Sequence, residues 1–266
     1  MTTAGARDPF LGLSGTVRME WRKLRTVRST WWILAVFAAG MLGYAIMAGA
    51  GGPTHPDPGY DPTNNVEQGM LLGQLTLGVL GVLVLSSEFS SGSIRATFAA
   101  VPRRGRVLAA KAAVLAVVAL VAGEALAFAG AVTFGAAAPA GVPHPPLGQL
   151  GGLRAVLLSG AYPCLIALIA LGLAAVIRHT AGAISAVVGV TFVLPLLLLP
   201  VGKHIAILKF LPANIEVNSL AAVRPVADAG LALGGPLSAR AGFAVLCLYA
   251  AVALAAGGWA LVRRDA

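Results

Sequence analysis

Few residues of this sequence have the types and spacing for chemistry. Glu124 is the one acidic residue deep inside a long apolar run, 107–136. A charged carboxylate near the centre of a bilayer costs about 2.5 to 3.5 kcal/mol, so this one is expected to be protonated, paired, or turned toward protein or water. Its two readings are a functional group and a carboxyl that only hydrogen-bonds between helices. His55, His144, His179 and His204 lie too far apart to suggest a metal site, and Cys164 and Cys247 each fall in an apolar run as small hydrophobes. The sequence has no G-x-x-x-x-G-K-[ST] loop, G-x-S-x-G elbow or H-E-x-x-H pair. The expectation is therefore not an enzyme, with no metal and no cofactor of its own.

The second polar feature is a block, residues 88–106, between two apolar stretches. It holds Glu88, then Gly92-Ser93-Ile94-Arg95, Phe98, and Pro102-Arg103-Arg104-Gly105-Arg106. Ser91 or Ser93 can start a short helix over 93–100, and Pro102 stands just past its end. Ile94 and Phe98, four apart, share one face of that helix.

The elements around these residues belong to a membrane protein. The chain is 58% hydrophobic and only 11% charged, far too apolar for one soluble core. Its 266 residues accommodate six spans of roughly 20 residues each. The expected spans are 31–49, 70–87, 107–136, 153–177, 181–199 and 241–262. All read as helices, because hydrocarbon tolerates no unpaired backbone and no ten-residue alternation of a barrel is present. Before them, residues 12–30 read as an amphipathic interfacial helix, with Leu13, Val17, Trp21, Leu24, Val27 and Trp31 three or four apart. A cleaved leader ending near Ala48-Gly49-Ala50 is disfavoured by the long basic region ahead of it.

Orientation follows from the bases. Arg18, Arg22, Lys23, Arg25 and Arg28, the arginines of 88–106, Lys111, Arg178 and Arg263, together with Arg7 and Arg264, all fall on one side if spans alternate. The intervening segments 50–69 and 137–152 contain no Lys or Arg. Both termini are then expected in the cytoplasm. This asymmetry also accounts for the net charge of +9, so no nucleic-acid partner is expected. Residues 200–240 break the pattern with Lys203, Lys209, Arg224 and Arg240 beside Glu216 and Asp228. They read as a long outer loop or a partly re-entrant one.

With these residues in view, the chain resembles the type-2 ATP-binding-cassette (ABC) exporter permeases. The resemblance rests on Glu88, Gly92-Ser93-Ile94-Arg95, Pro102 with Arg103 or Arg104, and Lys111, in that order. Phe210-Leu211-Pro212-Ala213-Asn214 before the last span and the ending Arg263-Arg264-Asp265-Ala266 agree with it. Several family members have Thr where this chain has Ser93. The resemblance implies a permease that works with a second copy or a homologue and docks a separate ATPase, which carries ATP and Mg. It further implies a multi-pass protein of a bacterial cell membrane, in contact with lipids, that exports an amphipathic or hydrophobic substrate. Under it, Glu88, Ser93, Ile94, Arg95, Phe98, Arg103 and Arg104 form the coupling element, although the arginines would equally serve to fix topology. The alternative is an ATPase-independent protein, either a proton-coupled transporter using Glu124 or a membrane sensor or scaffold.

Overall fold

The computed structural model describes residues 12–57, 59–200, 205–223 and 237–263. Among these, every regular element is helical and no strand occurs, as the need to satisfy backbone groups within each segment requires in lipid. Helix α1 (Leu13–Thr26) is joined to α2 (Arg28–Ala50) by the single extended residue Val27. Short α3 (Pro62–Glu67) leads into α4 (Met70–Ser90). Then come α5 (Ile94–Ala100), α6 (Arg104–Ala137) and α7 (Leu150–Ile177). The fifth span is composite: α8 (Thr180–Val188), a π-helical turn (Gly189–Val193) and α9 (Leu194–Leu198). A 3-10 turn (Ala206–Phe210), α10 (Pro212–Ile215) and a second π-turn (Glu216–Leu220) precede α11 (Ala239–Arg263).

Among the described residues, six helical stretches are long and apolar enough to cross a membrane. They overrun the apolar runs at most ends, because hydropathy marks only the hydrocarbon depth while the helix continues into its polar flanks. Helix α6 is the extreme case at 34 residues, or about 50 Å at about 1.5 Å per residue. The positions expected at Arg7, Lys203, His204, Arg224, Asp228 and Arg264 lie outside the described residues.

Helix α7 is the hub, packed against α4, α6 and α11. Helices α4 and α7 are the most enclosed spans, whereas the others turn most of their surface outward. Those outward faces carry Trp31, Trp32, Val117, Val121, Leu248 and Val252, which hydrocarbon accepts and water does not. Between helices already in lipid, close packing replaces the hydrophobic effect as the cohesive term, so small residues sit at the crossings. At the α6–α7 crossing, a Cβ on Gly123 would collide with the carbonyl oxygen of Gly160. Only glycine permits that approach.

Helix α1 divides its apolar stripe between the outside and the bundle. Leu13, Trp21 and Val27 are exposed, while Thr16, Glu20 and Leu24 are buried, and α6 is its main neighbour. An interfacial helix gains by presenting its apolar face to lipid. The inward stripe is left to carry polar contacts.

Candidate functional site: a charge clasp behind the short helix

The inward stripe of α1 delivers Glu20 to the start of α6, where Lys111 lies only 1% exposed. Lys111 Nζ stands 2.7 Å from Glu20 Oε2 and 2.6 Å from Glu88 Oε1, and it also donates to the Val84 carbonyl at 3.1 Å. Lys23 Nζ, one turn beyond Glu20, reaches Glu88 Oε1 at 2.9 Å and Glu20 Oε1 at 3.3 Å. Thr97 of α5 closes the set: its hydroxyl donates to Glu88 Oε2 at 3.0 Å and accepts from Lys23 at 3.2 Å. Two acids and two bases balance, as a sheltered ionic group must. Four elements, α1, α4, α5 and α6, are tied at one point.

For Lys23 the balance has a visible sign. Burial works against its charge, yet the hydrogen bond from Lys23 to Glu88 and the fields of Glu20 and Glu88 outweigh it, so its pKa lies above the ordinary 10.5. A cleft of about 660 Å³ opens beside the clasp, with Ser87, Ser93 and Ala100 on its wall.

Helix α5 therefore has an anchored side and a free side. Ile94 is buried in the chain's own core, and Phe98 is half-buried against it. Their apolar contacts are consequently made within this chain. Ser93 stands at the N-cap without capping; its hydroxyl pairs with that of Ser91 at 2.9 Å. Arg95 and Arg103 are exposed. On the far side of α5 a recess of about 580 Å³ is lined by Phe89, Ile94, Arg95, Phe98, Arg104 and Arg178. Arg104 lies 5.4 Å over the Phe98 ring and donates to the Leu261 carbonyl at 2.9 Å; Arg178 lies 5.3 Å over Phe89 and donates to the Ala260 carbonyl at 3.1 Å. Both thus cap the C-terminal end of α11. Arg178 also ends α7 as its C-cap, with a left-handed backbone at φ 60°, a conformation uncommon outside glycine.

Of the residues singled out in the sequence, the structure brings Glu88, Ser93, Ile94, Arg95, Phe98 and Arg104 to one end of the bundle, with Arg103 on its surface. Glu124 is separate, 13 positions beyond Lys111 along α6 and so about 20 Å away. Sequence reasoning passed over Glu20 and Thr97. The available signal was Glu20 itself, an acid within a strongly basic stretch. Compared with known proteins, the chain matches no family model and no curated protein sequence.

Proposed function

We propose that this chain is the membrane-spanning subunit of an ATP-driven exporter, with α5 as the element on which a separate ATPase acts. The observation that carries the reading is the clasp. A short helix outside the spans is fixed through Glu88, Thr97, Lys23 and Lys111 to three other helices, so a push on α5 is delivered to α1, α4 and α6 together. The exposed Arg95 and Arg103 supply charge for an acidic docking surface. On this reading the clasp end faces the cytoplasm, two copies or homologues pair in a bacterial cell membrane, and ATP and Mg belong to the partner. The Ala, Leu, Val and Gly of the spans suit an amphipathic or hydrophobic cargo.

The test is co-expression with a candidate ATPase, reading co-purification and substrate-stimulated ATP turnover. Arg95→Glu with Arg103→Glu touches no buried contact, so the fold is retained and coupled turnover is expected to fall by about tenfold, equivalent to about 1.4 kcal/mol. Undiminished co-purification and turnover in that variant would sink the coupling assignment.

A further inference from the structure

A second polar centre lies in the opposite half of the bundle, and nothing in the proposed function uses it. Glu67, at the end of α3, is wholly buried; its carboxyl lies within reach of the Ser159 hydroxyl, but neither oxygen receives a hydrogen bond of good geometry. It is within electrostatic reach of Glu216 and Glu124. Glu216, in the π-turn, is also wholly buried; Ser159 Oγ donates to its Oε1, and its Oε2 is unpartnered. Glu124 is half-buried on α6, its Oε2 enclosed and unpartnered, pressed so closely to α7 that a Cβ on Gly160 would stand 2.9 Å from that oxygen.

A further polar group is turned into this region from α4. Gln74 is wholly buried, accepts the Tyr162 hydroxyl on Oε1 and leaves Nε2 without a partner. Tyr162 in turn stands within reach of Glu216. Enclosed donors and acceptors without partners are rare in folded proteins and ask for a bound species.

The surroundings select which species. Among the described residues no base forms an ion pair with any of the three carboxyls, and Arg154, the base on this half of α7, is spent on the Ala222 and Val223 carbonyls. Among the described residues, the other titratable groups facing the region are Tyr162 and Cys164 from α7, Cys247 from α11, Tyr44 from α2, and Asp61, which accepts from the Val223 amide; Lys209 lies over the Phe210 ring and Arg240 is exposed. Three carboxylates left ionised there would be uncompensated charge in a low-dielectric site, which proteins avoid by neutralising the group. Among the described residues no three His, Cys, Asp or Glu side chains converge closely enough to hold a metal ion. A proton needs no such convergence.

We propose that Glu67, Glu124 and Glu216 form a proton-binding site, in which half-buried Glu124 exchanges protons at the rim and Glu67 and Glu216 hold them behind it. Each carboxyl comes from a different element, so proton occupancy decides whether α3, α6 and the 205–223 segment can stay in contact. Deprotonation sets like charges across that contact and drives the segment outward.

The purified chain is treated in detergent with dicyclohexylcarbodiimide, an apolar reagent that couples to protonated carboxyls, and adducts are mapped by peptide mass spectrometry. Labelling is expected at Glu124, falling with a titration of about tenfold per pH unit above its midpoint, and abolished in Glu124→Gln. In parallel, infrared spectra in H2O and D2O are expected to show protonated carboxyl bands that weaken in Glu67→Gln and Glu216→Gln. Absence of those bands overturns the proposal, as does labelling that sodium, potassium or calcium suppresses at fixed pH, which would mean a metal-cation site. The proposal is independent of the exporter reading: loss of ATPase coupling leaves it standing, and failure of the infrared arm leaves the exporter reading untouched.

Discussion

At the scale of single residues, Lys111 is the group on which the clasp depends, because its ammonium touches both Glu20 and Glu88 at 2.7 and 2.6 Å. Removing it leaves two sheltered carboxylates with Lys23 as their one remaining base. Lys111→Met is expected to destabilise the fold by about 3 to 5 kcal/mol, read as a lowered melting temperature in detergent. Adding Glu20→Gln to it should recover a large part of that loss, since Lys23 and Glu88 then balance again; no recovery would mean that packing, not charge, sets the cost. Lys23 makes a pH prediction. A group that holds its proton more tightly when folded stabilises the fold below its unfolded pKa of 10.5 and loses that contribution as pH rises through its higher folded value. The stability gap between the parent and Lys23→Met should therefore be full at neutral pH and close as pH rises above 10.5. A gap that stays unchanged on the alkaline side would contradict the assignment. The separation in sequence explains why this centre was not legible there. Lys111 and Glu20 are 91 positions apart, and nothing local marks either as the other's partner, whereas the lone acid in the 107–136 run marked Glu124 at once.

At the scale of elements, helix existence was readable and helix contact was not. An apolar run of bilayer length has one viable conformation in lipid, so each span announces itself. Which faces meet depends on small residues, and the chain has 33 glycines to choose from. The structure separates them by what a Cβ would strike. Gly160→Ala puts a methyl 2.9 Å from the Cα of Glu124, an overpacking expected to cost about 1 to 3 kcal/mol and to push α6 off α7. Gly105→Ala, in the first turn of α6 with open space around it, is expected to be neutral or stabilising by up to about 1 kcal/mol. Thermal denaturation of the two variants side by side checks this; equal effects would mean that the α6–α7 crossing is not glycine-dependent. The segment 205–223 was legible as part of a long outer loop or a partly re-entrant one, without its contacts. Its burial follows from contacts that no local pattern records: Asn64 Nδ2 on the Val217 carbonyl at 3.2 Å, the Val223 amide on Asp61 Oδ2 at 2.7 Å, and the Tyr249 hydroxyl on the Phe210 carbonyl at 3.3 Å. Two elements, α3 with its N-cap residue Asp61 and α11, pin it down, and residues 212–222 are buried.

At the scale of the whole molecule, the bundle has two chemically different ends. One carries α1, α5, the clasp and the arginines that cap α11. The other carries α3, the buried carboxyls and the 205–223 segment. Short basic segments resist translocation, so the first end is expected in the cytoplasm, where an ATPase would reach α5. The orientation has a direct measurement. In a chain made cysteine-free by Cys164→Ala and Cys247→Ala, single cysteines are placed at two exposed positions, Ser93→Cys beside α5 and Ala140→Cys in the loop between α6 and α7. An impermeant maleimide added to intact cells is expected to label the Ala140→Cys chain at once and the Ser93→Cys chain only after permeabilisation. The reverse pattern would put the clasp outside, away from any ATP-driven partner, and the docking role of Arg95 and Arg103 would fall with it. The proton-binding centre would then lie in the cytoplasmic half of the bundle, its protons exchanging with the cell interior through Glu124, and its infrared bands should shift with internal rather than external pH.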